Sequence, residues 1–205
     1  MADNFPAEYV QQALTSPEVT PSSVDTWAAE GSCFAAVGLS YAIGSADDSV
    51  VLRSDDGGAS WRMIGRMTGN FGGVVVVGRS QQWLWSNWQS EGTFSTIYRT
   101  DGEHLFESPG LDAPVRSRGG CCFTGVDAIV ATDRQTAAVQ VHGFDDAPPG
   151  APNAGWFETT DGGDSFGWLG SDLPDAWKRV GSSALVADPA PKSCSDAAAG
   201  FVVRQ

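Results

Sequence analysis

The residues of this chain best suited to chemistry are carboxylates, arginines and a tryptophan, set in stretches rich in Gly, Pro and Asn. Asp47-Asp48 and Asp145-Asp146 are two acidic pairs. Two carboxylates flanking a glycosidic bond supply the acid and the base of its hydrolysis. Arg66, Arg116 and Arg118 are suited to hold a carboxylate bidentately, and Trp88 to stack on a sugar or a peptide. Solvated loops are the simpler reading of all eight, because acidic residues number 25 against 12 basic ones and such side chains normally face water.

Cys33, Cys121, Cys122 and Cys194 show no zinc-ligand spacing, and His104 and His142 stand apart from them, so neither a metal nor a cofactor is expected. The cysteines read as small buried hydrophobes. A Cys33–Cys194 disulfide is the alternative, and it requires an oxidising compartment. His142 has no evident carboxylate partner in the sequence and reads as a surface or strand histidine.

The net charge of -13 repels phosphate backbones and argues against nucleic-acid binding. No apolar run is long enough to span a bilayer, so membrane insertion is not expected. Residues 1–26 form a polar N-terminal extension without the basic-then-apolar pattern of a signal peptide. Either the protein stays in the cytosol or a leader has been removed.

The elements that position these groups come from a repeat. Ser54-Asp55-Asp56-Gly57-Gly58-Ala59-Ser60-Trp61 recurs as Thr159-Thr160-Asp161-Gly162-Gly163-Asp164-Ser165-Phe166. A degenerate copy, Arg99–Phe106, keeps Asp101 and the closing aromatic Phe106. A short carboxylate accepts amides of its own turn, and Gly supplies positive φ where the chain reverses. Each copy therefore reads as a hairpin staple. Short β-like runs precede each one: Phe34–Leu39 and Tyr41–Ser45, Gly73–Gly78 and Trp83–Ser86, Cys122–Gly125 and Ala128–Thr132. Four strands per unit is the pattern of a propeller blade. A fourth unit is expected from Arg179 to Gln205, because Phe201–Gln205 lines up with Val50–Ser54. Trp27–Gly31 resembles Trp61–Gly65, so the strand around Trp27 is expected to complete that last blade. The expected fold is all-β, a β-propeller of about four four-stranded blades over residues 27–205.

The two good copies resemble the Asp-box, or BNR, repeats of sialidases, xyloglucan-active glycosidases, sortilin-type receptor domains and photosystem II assembly factors. The resemblance implies that Ser54, Asp56, Gly58, Trp61, Asp101, Phe106, Thr159, Asp161, Gly163 and Phe166 are structural and lie away from any catalytic centre. The Arg-Ile-Pro segment of sialidases is missing, and Tyr9, Tyr41 and Tyr98 are the only tyrosines. In a meandering blade the turns between strands one and two and between three and four share an end. A ligand site is thus expected at the other end, with Arg66, Trp88, Arg116, Arg118 and the acidic pairs. The expected function is a non-catalytic binding or scaffolding propeller for a protein or glycan partner. A reduced glycoside hydrolase is the alternative, and a homo-oligomeric assembly subunit is a third reading.

Overall fold

Short apolar runs, bounded by Gly, Asp and Ser, become strands in a computed structural model that describes residues 19–41, 48–77, 81–87, 95–119, 125–143, 153–181, 185–186, 188–189 and 192–196. The first antiparallel meander is β1 (Val19–Ala29), β2 (Ser32–Tyr41), β3 (Asp48–Ser54) and β4 (Arg62–Thr68). The second is β5 (Asn70–Val77), β6 (Gln81–Asn87), β7 (Ile97–Thr100) and β8 (Leu105–Ser108). The third is β9 (Gly125–Ala131), β10 (Ala137–His142), β11 (Ala154–Thr159) and β12 (Gly167–Gly170). The helical elements Pro109–Leu111, Asp112–Arg116 and Asp175–Gly181 are short, and the protein is all-β. No helix among the described residues is long and apolar enough to cross a bilayer.

Trp27 sits in the first strand of the first meander, which also pairs with a strand of the expected fourth unit. It lies in β1, with Phe34 beside it on one edge and Pro189 of β14 (Asp188–Pro189) on the other. The cause is local. Glu30 and Gly31 both take positive φ, 54° and 81°, which gives β1 and β2 a two-residue turn whose twist matches the strands. Packing completes the placement, for the Trp27 ring stacks between Phe34 at 5.6 Å and Phe71 at 5.2 Å. Its Nε1 donates to Gln82 Oε1 at 2.8 Å.

Other boundaries differ as well. Tyr41 closes the ten-residue β2, and the rest of the strand expected over Tyr41–Ser45 lies outside the described residues. In the third meander most of the run expected over Ala128–Thr132 belongs to the first strand, which ends at Ala131, and Ala137–His142, unexpected from sequence, is the second. Asp133 makes that hairpin, its Oδ1 accepting the amides of Gln135 at 2.6 Å and Thr136 at 2.9 Å. Of the expected fourth unit, residues 179–181 close the helix Asp175–Gly181, and β13 (Leu185–Val186) and β14 extend the edges of β5 and β1. Residues 197–205 lie outside the described set.

The sheets pack face to face in chain order. Phe34, Val51, Met67, Leu84 and Tyr98 fill the space between the first and second. Trp83, Ile97, Ile129, Val139 and Phe157 fill that between the second and third. Each such buried side chain contributes about 1.5–3 kcal/mol. Trp83 and Trp85 share the same interface, as their spacing predicts. Trp156 instead faces the helix Asp175–Gly181, where it meets Trp177.

Cys33 and Cys194 are joined in a disulfide with Cα atoms 6.0 Å apart, within the usual range for such bonds. This replaces the reading of both as unpaired buried hydrophobes. The two cysteines are separated by 161 positions, and the approach of residues 192–196 to the first sheet brings the sulfurs together. Thr26 and Ser195 share a hydrogen bond of 3.0 Å in the same region. Cys121 and Cys122 lie outside the described residues.

Candidate functional site

The two repeated turns are built alike, atom for atom. Ser54 Oγ accepts the Gly58 amide at 2.8 Å and donates to Asp56 Oδ1 at 2.7 Å. Asp56 in turn accepts the Ser60 amide at 2.9 Å and the Ser60 hydroxyl at 2.6 Å. Thr159, Gly163, Asp161 and Ser165 repeat every bond. Gly163 is required twice over: its φ is +89°, and a Cβ there would stand 2.4 Å from Ser108 Cβ. The degenerate copy works differently. Thr100, not Arg99, is the strand-end hydroxyl and accepts Gly102 N at 2.9 Å, while Asp101 Oδ1 accepts the amides of Glu103 and His104. That shortens the connection to four residues, 101–104, against seven, 55–61, in the first sheet.

These turns yield two measurable consequences. Thr159 is 2% exposed and Gly163 is also buried, so Thr159→Val strands the Gly163 amide. Unfolding free energy is expected to fall by about 1–3 kcal/mol in urea titration. An unchanged midpoint would show that the turn does not need the hydroxyl. The second concerns pH. Hydrogen bonds from the Ser60 hydroxyl and amide, then from Ser54, hold the Asp56 carboxyl down to about 2, and the Ser165 and Thr159 bonds lower Asp161 likewise. Because the folded values are depressed, this stabilisation is complete above the unfolded value of about 4 and disappears as pH falls toward 2. Acid titration of the melting temperature is expected to fall more steeply across that window in the wild type than in Asp56→Asn/Asp161→Asn. Parallel curves would refute the assignment.

The turns also lock neighbouring sheets together at one end. Arg53, just before Ser54, donates to Gly102 O at 2.8 Å and Glu103 Oε1 at 2.7 Å in the next sheet. Arg99, just before Thr100, lies so close to Gly162 of the third sheet that a Cβ there would meet its Nη1 at 1.9 Å. In the third sheet Glu158 holds that position and accepts Trp177 Nε1 at 3.0 Å. First-to-second-strand turns join the same end: Ser32 donates to Asp55 at 2.5 Å, and Gly162 N to Gln135 O at 2.8 Å.

At the other strand ends a cleft of about 370 Å³ opens between the second and third sheets, with Thr68 of the first sheet also in its lining. Thr68 closes β4, Ser95 and Thr96 lead into β7, and Gly125 begins β9 at its rim. Ile97, Leu111, Val115, Val126 and Val141 supply apolar walls, and Glu107 and Asp112 supply two carboxylates. The wall formed by residues 107–115 is held by Ser108 Oγ donating to Gly162 O and by Gly110 N donating to Gly163 O at 3.0 Å. Burial raises the Tyr98 phenol above its ordinary pKa, and the nearby Glu107 charge adds to the shift. Tyr98 Oη accepts the Thr68 amide at 2.8 Å.

Among the described residues, the expected ligand residues Asp48, Arg66, Arg116 and Arg118 make separate contacts. Asp48 and Arg66 form an ion pair across β3 and β4. Arg116 pairs with Asp112 at 2.8 Å within its own helix. Arg118 lies over the Trp168 ring at 4.6 Å. Asp47, Trp88, Asp145 and Asp146 lie outside the described residues. Sequence reading missed Glu107 and Asp112, although the alternation after Phe106 and the i,i+4 spacing of Asp112 and Arg116 were there to be read.

It also missed a partner for His142. Gln140 pairs with Ala128 and Val141 with Val126, so Asp127 is the extra residue of a bulge. That bulge sets Asp127 Oδ1 2.7 Å from His142 Nδ1. Bulges commonly re-aim a side chain in this way. Among the described residues no group of three His, Cys, Asp or Glu is arranged to hold a metal ion. No family model, curated protein or solved structure matches the chain.

Proposed function

We propose that the protein is a non-catalytic binding or scaffolding β-propeller of the Asp-box type, with about four blades, that recognises a protein or glycan at the end opposite its stapled turns. The cleft between the second and third sheets carries this reading, because it combines apolar walls with a few convergent polar groups at the strand ends free of staples. Three successive meanders packed face to face support the propeller. The Cys33–Cys194 disulfide and the β1–β14 pairing support closure of the ring between the last and first units. Arg204, outside the described residues, holds by sequence the place of Arg53 in a fourth unit.

A glycoside hydrolase is the second reading, favoured by one observation: Glu107 and Asp112 line the same cleft. Glycan and peptide arrays run beside β-glucanase and sialidase assays separate the two. Binding without turnover is expected. Turnover abolished by Glu107→Gln or Asp112→Asn would overturn the non-catalytic reading.

A further inference from the structure

We propose that the cleft receives the side chain of a lysine or arginine presented by a protein partner. This rests on the reading of the cleft as the binding surface and names the chemistry that it selects. Long basic side chains are amphipathic, with a methylene stem that packs on apolar surface and a cationic head. The cleft offers the complement of both parts. Leu111, Val115, Val126 and Val141 form an apolar lining for the stem. Glu107 is exposed, borders the same space and enters no ion pair among the described residues. Asp112 adds a second carboxylate, already bonded to Arg116 at 2.8 Å and about half exposed.

Charge and shape narrow the choice further. None of the lining residues is Lys, Arg or His, and with Arg116 paired to Asp112 the charge of Glu107 leaves the lining net negative, which disfavours an anionic guest. None is aromatic, so a sugar ring finds no stacking platform in the lining. A volume of about 370 Å³ is near the lower end of small-molecule sites and suits one long side chain. The net charge of -13 steers cations toward the protein before contact.

The probes are capped lysine and arginine amides, with the norleucine amide as a neutral isostere and methyl glucoside as a sugar control. Binding to the intact chain is followed by NMR shift perturbation at low and high salt, with Glu107→Gln and Thr68→Trp as variants. Both substituted positions are exposed, so folding is expected to survive, as melting curves check. The basic amides are expected to perturb cleft residues, and the norleucine amide and the glucoside are not. Glu107→Gln is expected to weaken the basic amides about tenfold, the loss of one charge-assisted contact, and Thr68→Trp to block the mouth. Equal binding of norleucine, or unchanged affinity in Glu107→Gln with Thr68→Trp still blocking, overturns the cationic guest and leaves the binding surface standing. Glucoside binding that Thr68→Trp blocks does the same. Perturbations elsewhere that Thr68→Trp does not alter overturn both.

Discussion

Replacing Cys194 with serine is expected to lower the unfolding free energy by about 2–5 kcal/mol. The bond closes a loop with 161 positions of separation, and the chain-entropy model puts the gain for so long a loop near the top of that range. Both cysteines are at most 2% exposed, so neither sulfur exchanges its partner for water while the fold is intact. Urea titrations of Cys33→Ser, Cys194→Ser and the double variant provide the check. The double variant is expected to lose no more than the worse single one, because one bond is removed in all three. Reductant is expected to shift the wild type alone. Additive losses that reductant does not reproduce would show two independent buried thiols. The bond also predicts a higher folded yield in an oxidising compartment than in a reducing one.

Trp27→Ala carries the second large effect, about 3–5 kcal/mol. The side chain is 3% exposed and lies between Phe34 and Phe71, so truncation opens a void at the junction of the first two sheets. The backbone on either side is paired as well, which restricts collapse of the void. Trp27→Phe separates packing from hydrogen bonding. It keeps a ring in the stack but leaves Gln82 Oε1, in a side chain 1% exposed, without its donor. That variant is expected to lose about 1–3 kcal/mol. Thermal and urea unfolding report both values. A loss under 1 kcal/mol for Trp27→Ala would mean that Trp27 lies at a surface edge.

The features readable from the sequence are those held by bonds over a few positions. Ser54, Asp56, Gly58 and Ser60 bond one another within seven residues, so their order in the chain is already the turn. The same holds for Thr159 to Ser165, and the strands on either side follow from apolar runs next to a fixed reversal. The degenerate copy lies one residue out of register with the sequence alignment, because Thr100, not the aligned Arg99, carries the hydroxyl that accepts the Gly102 amide.

Position along a sheet edge is another matter. The likeness of Trp27–Gly31 to Trp61–Gly65 describes a strand but not its neighbour. Glu30-Gly31 turned that strand back onto β2, and two aromatic stacks held it there. His142 acquired Asp127 only because a bulge shifted the register by one residue, a change that alternation alone does not record. Glu107 and Asp112 are ordinary surface carboxylates until the second and third sheets leave a cleft between them. Sequence by itself thus determined the stapled turns, the meandering strands and the all-β class, since local hydrogen bonding and side-chain alternation suffice for them. Only tertiary structure decided the Cys33–Cys194 bond, the place of Trp27 and the cleft, since each depends on which distant surfaces bury one another.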